Sequence, residues 1–227
     1  MMVGAVLTQQ TAWRNVERVI ARLKAGGVLS ARRLRRLPQR RLERLLRPIG
    51  FFRVKARRLR TFLNWLHVTW DDAPAQLLSR PTPEARAALL SVPGIGPETA
   101  DAMLLYAGHH PVVVVDAYTR RILSRHGVVS SRATYDHMQR LLQAALPRDP
   151  RLYNEYHALL VRLGKTYCRT VPRCDVCPLF PLPRVRGVWP TKNQPSQPLH
   201  KARQTQPRLR PQHLRRVPRR APSATSG

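Results

Sequence analysis

Apolar residues recur at helical spacing along most of the first 177 positions. Val16, Val19, Ile20 and Leu23 lie one helical turn apart, as do Leu42, Leu45 and Leu46. Leu59, Phe62, Leu63 and Leu66 repeat the stripe, followed by Met138, Leu141, Leu142 and Ala145. A last stripe runs through Leu152, Tyr156, Leu159, Leu160 and Leu163. Each predicts an amphipathic helix whose apolar face meets a shared core. Residues 3–13 also read as a core helix. Thr82, Pro83 and Glu84 supply a cap, a first-turn proline and a first-turn acid for a helix over 85–90. Strand-like content is confined to Val112, Val113, Val114 and Val115, too short to define a sheet. In a helical setting that run predicts a buried connector into a helix over 117–126. The pattern predicts an all-α fold.

One stretch breaks the monotony. Residues 91–116 read SVPGIGPETADAMLLYAGHHPVVVVD. Pro93, Gly94, Ile95 and Gly96 form a short hairpin ahead of an apolar helix, and the valine run ends on a lone acid, Asp116. Glycines at 94 and 96 permit close backbone approach, so the turn can aim bare N–H groups at an anion. The start of the next helix adds partial positive charge.

Charge says which anion. The 227 residues carry 41 Lys and Arg against 12 Asp and Glu, a net charge of +29. That implies a polyanionic partner, nucleic acid before membrane, because no stretch approaches the ~18 apolar residues of a spanning helix. No secretory h-region precedes a small-residue cleavage site in these residues, and the expected location is cytoplasmic and nucleoid-associated. The charge is uneven. Residues 178–227 hold 11 of the basic residues, no acids and 10 of the 21 prolines. Such a composition predicts a disordered basic tail, with the break at Pro178. Arg53, Lys55, Arg57, Arg58 and Arg60 form a second basic cluster that suits DNA contact. All three cysteines, Cys168, Cys174 and Cys177, lie together, which reads as metal ligation in a reducing compartment rather than a disulfide framework.

The hairpin, the helix after it and VVVVDAYTRRIL together resemble the helix-hairpin-helix, Gly/Pro-rich, Asp-containing superfamily of DNA glycosylases. The likeness is to endonuclease III relatives, nearest the branch of bacterial 3-methyladenine glycosylases, and runs from about Val3 to Cys177. It implies a two-lobed fold with DNA in the cleft. One lobe would span about 20–125; the other would join the N-terminal segment to 126–177. Residues 1–177 form the glycosylase domain, with 164–177 as a partial iron–sulfur cysteine loop.

The resemblance also implies roles. Asp116 becomes the catalytic carboxylate that stabilises the oxocarbenium-like sugar cation, chemistry for which a carboxylate in a water-poor site is suited. It also reads as the N-cap of the helix starting at Ala117, and the two roles are compatible. Glu98 stands where endonuclease III-type enzymes place the lysine that forms a Schiff base. A carboxylate cannot form that imine, so the resemblance implies a monofunctional enzyme that uses water; Glu98 itself reads as a first-turn acid. Gln9, or Gln10 beside it, would fill the gap left by a flipped base. Trp13 reads as core or as a stacking wall. Pro93, Gly94, Ile95, Gly96 and Thr99 would grip backbone phosphate, with Arg120 in reach. The His residues receive no role.

Relatives carry four cysteines on a [4Fe–4S] cluster. Here Cys168, Cys174 and Cys177 match three, and the fourth, expected near Pro183, is missing. A frameshift near codons 178–183, or a genuine DNA-binding arm, would each account for the tail. Relatives also have a leading segment before residue 3, so a misassigned start or a trimmed protein is expected. The predicted activity is release of a damaged base, alkylated by family likeness, from double-stranded DNA by a monomer. The competing readings are a catalytically weak DNA-binding relic and a bifunctional glycosylase/lyase using another amine, such as Lys55.

Overall fold

In the computed structural model, which describes residues 1–185, the chain folds into eleven helices with no strand among the described residues. They are α1 (Met2–Thr8), α2 (Trp13–Ala25), α3 (Ala31–Arg36), α4 (Gln39–Leu46), α5 (Phe52–Trp70), α6 (Pro74–Leu78), α7 (Thr82–Leu90), α8 (Pro97–Gly108), α9 (Ala117–Arg125), α10 (Tyr135–Ala145) and α11 (Pro150–Thr166). Residues 186–227, and with them most of the expected basic tail, lie outside the described residues.

The stripes of α2, α4 and α5 supply buried faces, whereas the stripe of α11 is buried fully only at Leu160, with Leu159 52% exposed, and Ala145 at the end of the α10 stripe is exposed. Val16, Val19 and Leu23 of α2, Leu42 and Leu46 of α4, and Leu59, Phe62 and Leu63 of α5 join Val6, Leu7, Met103 and Leu104 in one continuous core. A smaller cluster of Ile122, Leu160 and Cys168 holds α9 against α11. There Gly164 is required by contact: a Cβ on it would lie 2.3 Å from Tyr118 Cδ1.

Three local expectations give way. Residues 3–13 are not one helix. α1 stops at Thr8, Gln10 turns the chain in a left-handed conformation (φ 52°), and α2 starts at Trp13. Thr82 is the first residue of α7 and caps nothing; its hydroxyl pairs with His110 Nδ1 at 2.9 Å. The lobes are also composed differently. α1 packs on α2, α5 and α8, and α9 packs on α11, so the N-terminal segment joins the early helices and α9 joins the late ones.

The valine run is the buried connector that the pattern predicts, and α10 explains how it avoids being a strand. Buried backbone groups need partners. Val113 N–H donates to Gln143 Oε1 (3.1 Å), Val113 O accepts from Gln139 Nε2 (2.6 Å), and Val115 N–H reaches Tyr135 Oη (3.4 Å). Tyr135 and Gln139 in turn donate to Oδ2 of the fully buried Asp101, at 2.8 and 2.7 Å. Arg86 of α7 closes the network with a fork on Asp101 at 2.7 and 3.1 Å. The acid is thereby fully satisfied. One buried carboxylate thus ties α7, α8, α10 and the connector together directly behind Asp116.

Candidate active site

The connector delivers Asp116 to the first position before α9, where its Oδ1 accepts from Thr119 N–H at 2.7 Å and Thr119 Oγ1 at 2.9 Å. The cap role is therefore real, and it leaves Oδ2 to face a pocket. That edge lies 3.6 Å from Nε2 of His157 on α11. Burial pushes the Asp116 carboxyl up, but His157 and the Thr119 donors outweigh it and hold it below its ordinary value.

The pocket measures about 460 Å³ and opens between α1–α2 and α8 on one side and α9 and α11 on the other. Trp13, Tyr106 and Tyr118 give it aromatic walls, and Glu98, Asp116 and His157 give it polar ones. Glu98, on the first turn of α8, is an exposed residue that lines the pocket, and partial desolvation there together with the nearby Asp116 charge raises its pKa from the ordinary value. Two carboxylates in one pocket are thus pushed apart, one held ionised and the other biased toward its neutral form. Tyr106 hydrogen-bonds His157 Nδ1, and its own ionisation is driven up by burial and by Asp116.

The hairpin stands at the pocket's edge. Gly94 has φ +89°, which favours glycine, and the side chain of Arg58 packs over it. Ile95 is the buried anchor of the turn, and Gly96 precedes the first residue of α8. Pro93 lies on the exposed side. Gln9 is brought to the same place: its Nε2 donates to Gly94 O (2.9 Å) and Thr99 Oγ1 (3.0 Å), while Arg58 donates to its Oε1. Gln9 clasps α5 to the hairpin in the ligand-free protein. Gln10 is exposed on the turn beyond it. Trp13 is 40% exposed and lines the pocket, so it serves as a wall rather than as core.

Other expected contacts are spent inside the protein. Arg120 donates to Ala133 O, and Arg121 to Cys168 O (2.7 Å) and Gly164 O (3.0 Å). Arg60 donates to the carbonyls of Arg35 and Leu37. Lys55 is buried and bonds the Thr11 hydroxyl, so Thr11 stands between it and the pocket; burial and Arg58 lower its pKa to about 8. Lys165 of α11 does line the pocket, on its exposed side.

Cys168, Cys174 and Cys177 share a small cavity with His126, whose Nδ1 pairs with Pro183 O at 2.9 Å. Cys168 Sγ takes a contact from Arg125 Nη1 at 3.3 Å. Among the described residues no three His, Cys, Asp or Glu side chains form a group that could hold a metal ion. As placed, the thiols share a cavity without forming a ligand set, and no step of the chemistry is drawn through them. The chain continues past Pro178 in turns that hydrogen-bond back to α9, with Val185 N–H on Arg125 O.

His157 is the site residue that sequence reasoning missed. It adjoins the last apolar stripe, next to Tyr156, and only the packing of α11 on α8 and α9 turns it toward Asp116. No spacing rule connects positions 41 residues apart.

The description "HhH-GPD superfamily base excision DNA repair protein" matches residues 3–148 of this chain. A protein of Methanocaldococcus jannaschii, provisionally named a DNA repair glycosylase, is 41% identical over 79% of this chain and 82% of its own length. The structure of a non-covalent endonuclease III–DNA complex matches at a TM-score of 0.70 and 24% identity over 81% of both chains. The Helicobacter pylori 3-methyladenine DNA glycosylase bound to 1,N6-ethenoadenine matches at 0.61 and 26% identity, over 72% of this chain and 83% of that one.

Proposed function

The chain belongs to the HhH-GPD superfamily of base excision DNA repair proteins, and from that premise we propose that it is a monofunctional DNA glycosylase acting on an alkylated base. The observation that carries the reading is the pocket: an ionised Asp116 faces it, and the position of the family's Schiff-base lysine is filled by Glu98.

The chemistry follows from those groups. A damaged nucleotide rotates out of the duplex into the pocket, at an unstacking cost of a few kcal/mol that is smallest for a damaged base. The hairpin and the start of α8 hold the backbone beside it. As the N-glycosidic bond breaks, positive charge builds on the sugar, and the Asp116 carboxylate stabilises it across a site that aromatic walls keep poor in water. Water attacks the anomeric carbon, the proton it loses passes to a carboxylate, and an intact strand with an abasic site remains. Alkylation of a ring nitrogen gives a base that is flat and cationic. Trp13, Tyr106 and Tyr118 offer π-faces to such a ring, and the pocket's acids offer opposite charge.

Lys165 supports one second reading, since its amine lines the pocket and an amine is what a lyase step requires. Borohydride reduction during reaction with duplex DNA containing 3-methyladenine separates the two. The monofunctional route gives free base, abasic DNA that breaks only on heating in alkali, and no covalent adduct. A trapped adduct that disappears in Lys165→Ala would overturn it.

A further inference from the structure

His157 is a partly buried ring, its side chain 14% exposed, whose Nε2 is shut off from solvent and makes no hydrogen bond, although it faces Oδ2 of Asp116 at 3.6 Å. A buried unpaired donor is costly, and its persistence here calls for a role. The other ring nitrogen, Nδ1, is engaged by the Tyr106 hydroxyl. Tyr106 keeps its proton, so it can donate to Nδ1, which places the ring proton on Nε2, the nitrogen that looks at Asp116. The Thr119 donors have already fixed the opposite carboxylate oxygen. Closing the gap by about 0.8 Å would complete a charge-assisted bond.

We propose that His157, oriented by Tyr106, is the positioning residue that holds the Oδ2 edge of Asp116 toward the reacting sugar. The proposal rests on the glycosylase reading of the pocket. The groups facing Asp116 are Glu98 and Tyr106 from α8, His157 and Lys165 from α11, and Tyr118 from its own helix. Met1 brings the chain's α-amino group to the pocket lining, and α1 and the turn after it add the uncharged Ala5, Thr8, Gln9 and Thr11. Of these, His157 is the group within ion-pair distance of the Asp116 carboxylate. Its loss therefore leaves the Thr119 donors alone against the effect of burial.

The test measures base release from methylated duplex DNA against pH for the full chain and three variants, with circular dichroism to confirm folding. His157→Phe keeps a ring and removes the donor; the rate at pH 7 falls about 100-fold, and the acid limb moves up by about one pH unit. His157→Gln keeps an amide N–H near the position of Nε2, so its acid limb returns toward that of wild type and its rate exceeds that of His157→Phe. Tyr106→Phe frees the tautomer and gives an intermediate loss. A His157→Phe protein with wild-type rate and acid limb overturns the proposal, as does a His157→Gln protein indistinguishable from His157→Phe. If wild type itself releases no base, the glycosylase reading fails, and ¹⁵N NMR of the ligand-free protein decides this proposal separately. A His157 Nε2–H tautomer whose signal shifts in Asp116→Asn upholds it; an Nδ1–H tautomer, or a signal indifferent to that substitution, sinks it.

Discussion

At the scale of residues, the pocket turns on two carboxylates whose pKa values are shifted in opposite directions. The Thr119 donors and His157 keep Asp116 below its ordinary pKa, so the active, ionised form persists to lower pH than for a free aspartate. Activity depends on that form and is lost as pH falls through the depressed value. A pH–rate profile should therefore show its acid limb below the usual carboxylate range; a limb centred at or above about 4 would contradict this assignment. Glu98 is defined by the amine it lacks. Glu98→Lys places an amine on the pocket wall and should create borohydride-trappable adducts where wild type gives none, read on a denaturing gel. Asp116 could be singled out only with the hairpin and the family resemblance beside it, because an N-cap alone accounts for an acid at the start of a helix. His157 could not be. Its partner lies in another helix, and nothing local distinguishes it from a surface histidine.

At the scale of elements, periodicity carried most of the information. The stripes of α2, α4 and α5 are largely the buried faces they predicted, and those of α10 and α11 are so only in part, with Ala145 and Leu159 exposed; each helix must cover an apolar face whose spacing follows from 3.6 residues per turn. The break between α1 and α2 was not readable. It depends on Gln10 adopting a left-handed conformation, which glutamine does not advertise. That break is what puts Gln9 on the hairpin and Trp13 in the pocket. The crossing of α9 on α11 depends on one glycine. Gly164→Ala forces a methyl into Tyr118 and should destabilise the fold by about 1–3 kcal/mol in urea denaturation, with Tyr118 displaced into the pocket. An unchanged midpoint would mean that the two helices separate at no cost.

At the scale of the whole molecule, a strongly basic protein keeps a few of its 12 acids for structural and chemical work. Asp101 is buried at the junction of α7, α8 and α10, and Arg86 neutralises it. Arg86→Ala leaves that charge with hydrogen bonds but no counter-charge, and should destabilise the protein by about 3 kcal/mol or more by thermal or urea unfolding. Substituting exposed arginines such as Arg40 should leave stability almost unchanged. The all-α class and the hairpin could be read along the chain. The lobe boundaries could not, because whether α1 sides with the early or the late helices is decided by packing across the molecule rather than by any local pattern.

The central claim is that Asp116, in this pocket, breaks the bond between a damaged base and its sugar. Its most direct test is release of free 3-methyladenine from methylated duplex DNA by wild type and by Asp116→Asn, with salt-dependent DNA binding measured alongside. Wild type should release the base, the variant should lose about 100-fold or more of that rate, and DNA binding should stay within a few-fold of wild type. Equal release by both proteins would remove Asp116 from the chemistry, and tight DNA binding without release by either would contradict the assignment to alkylated bases.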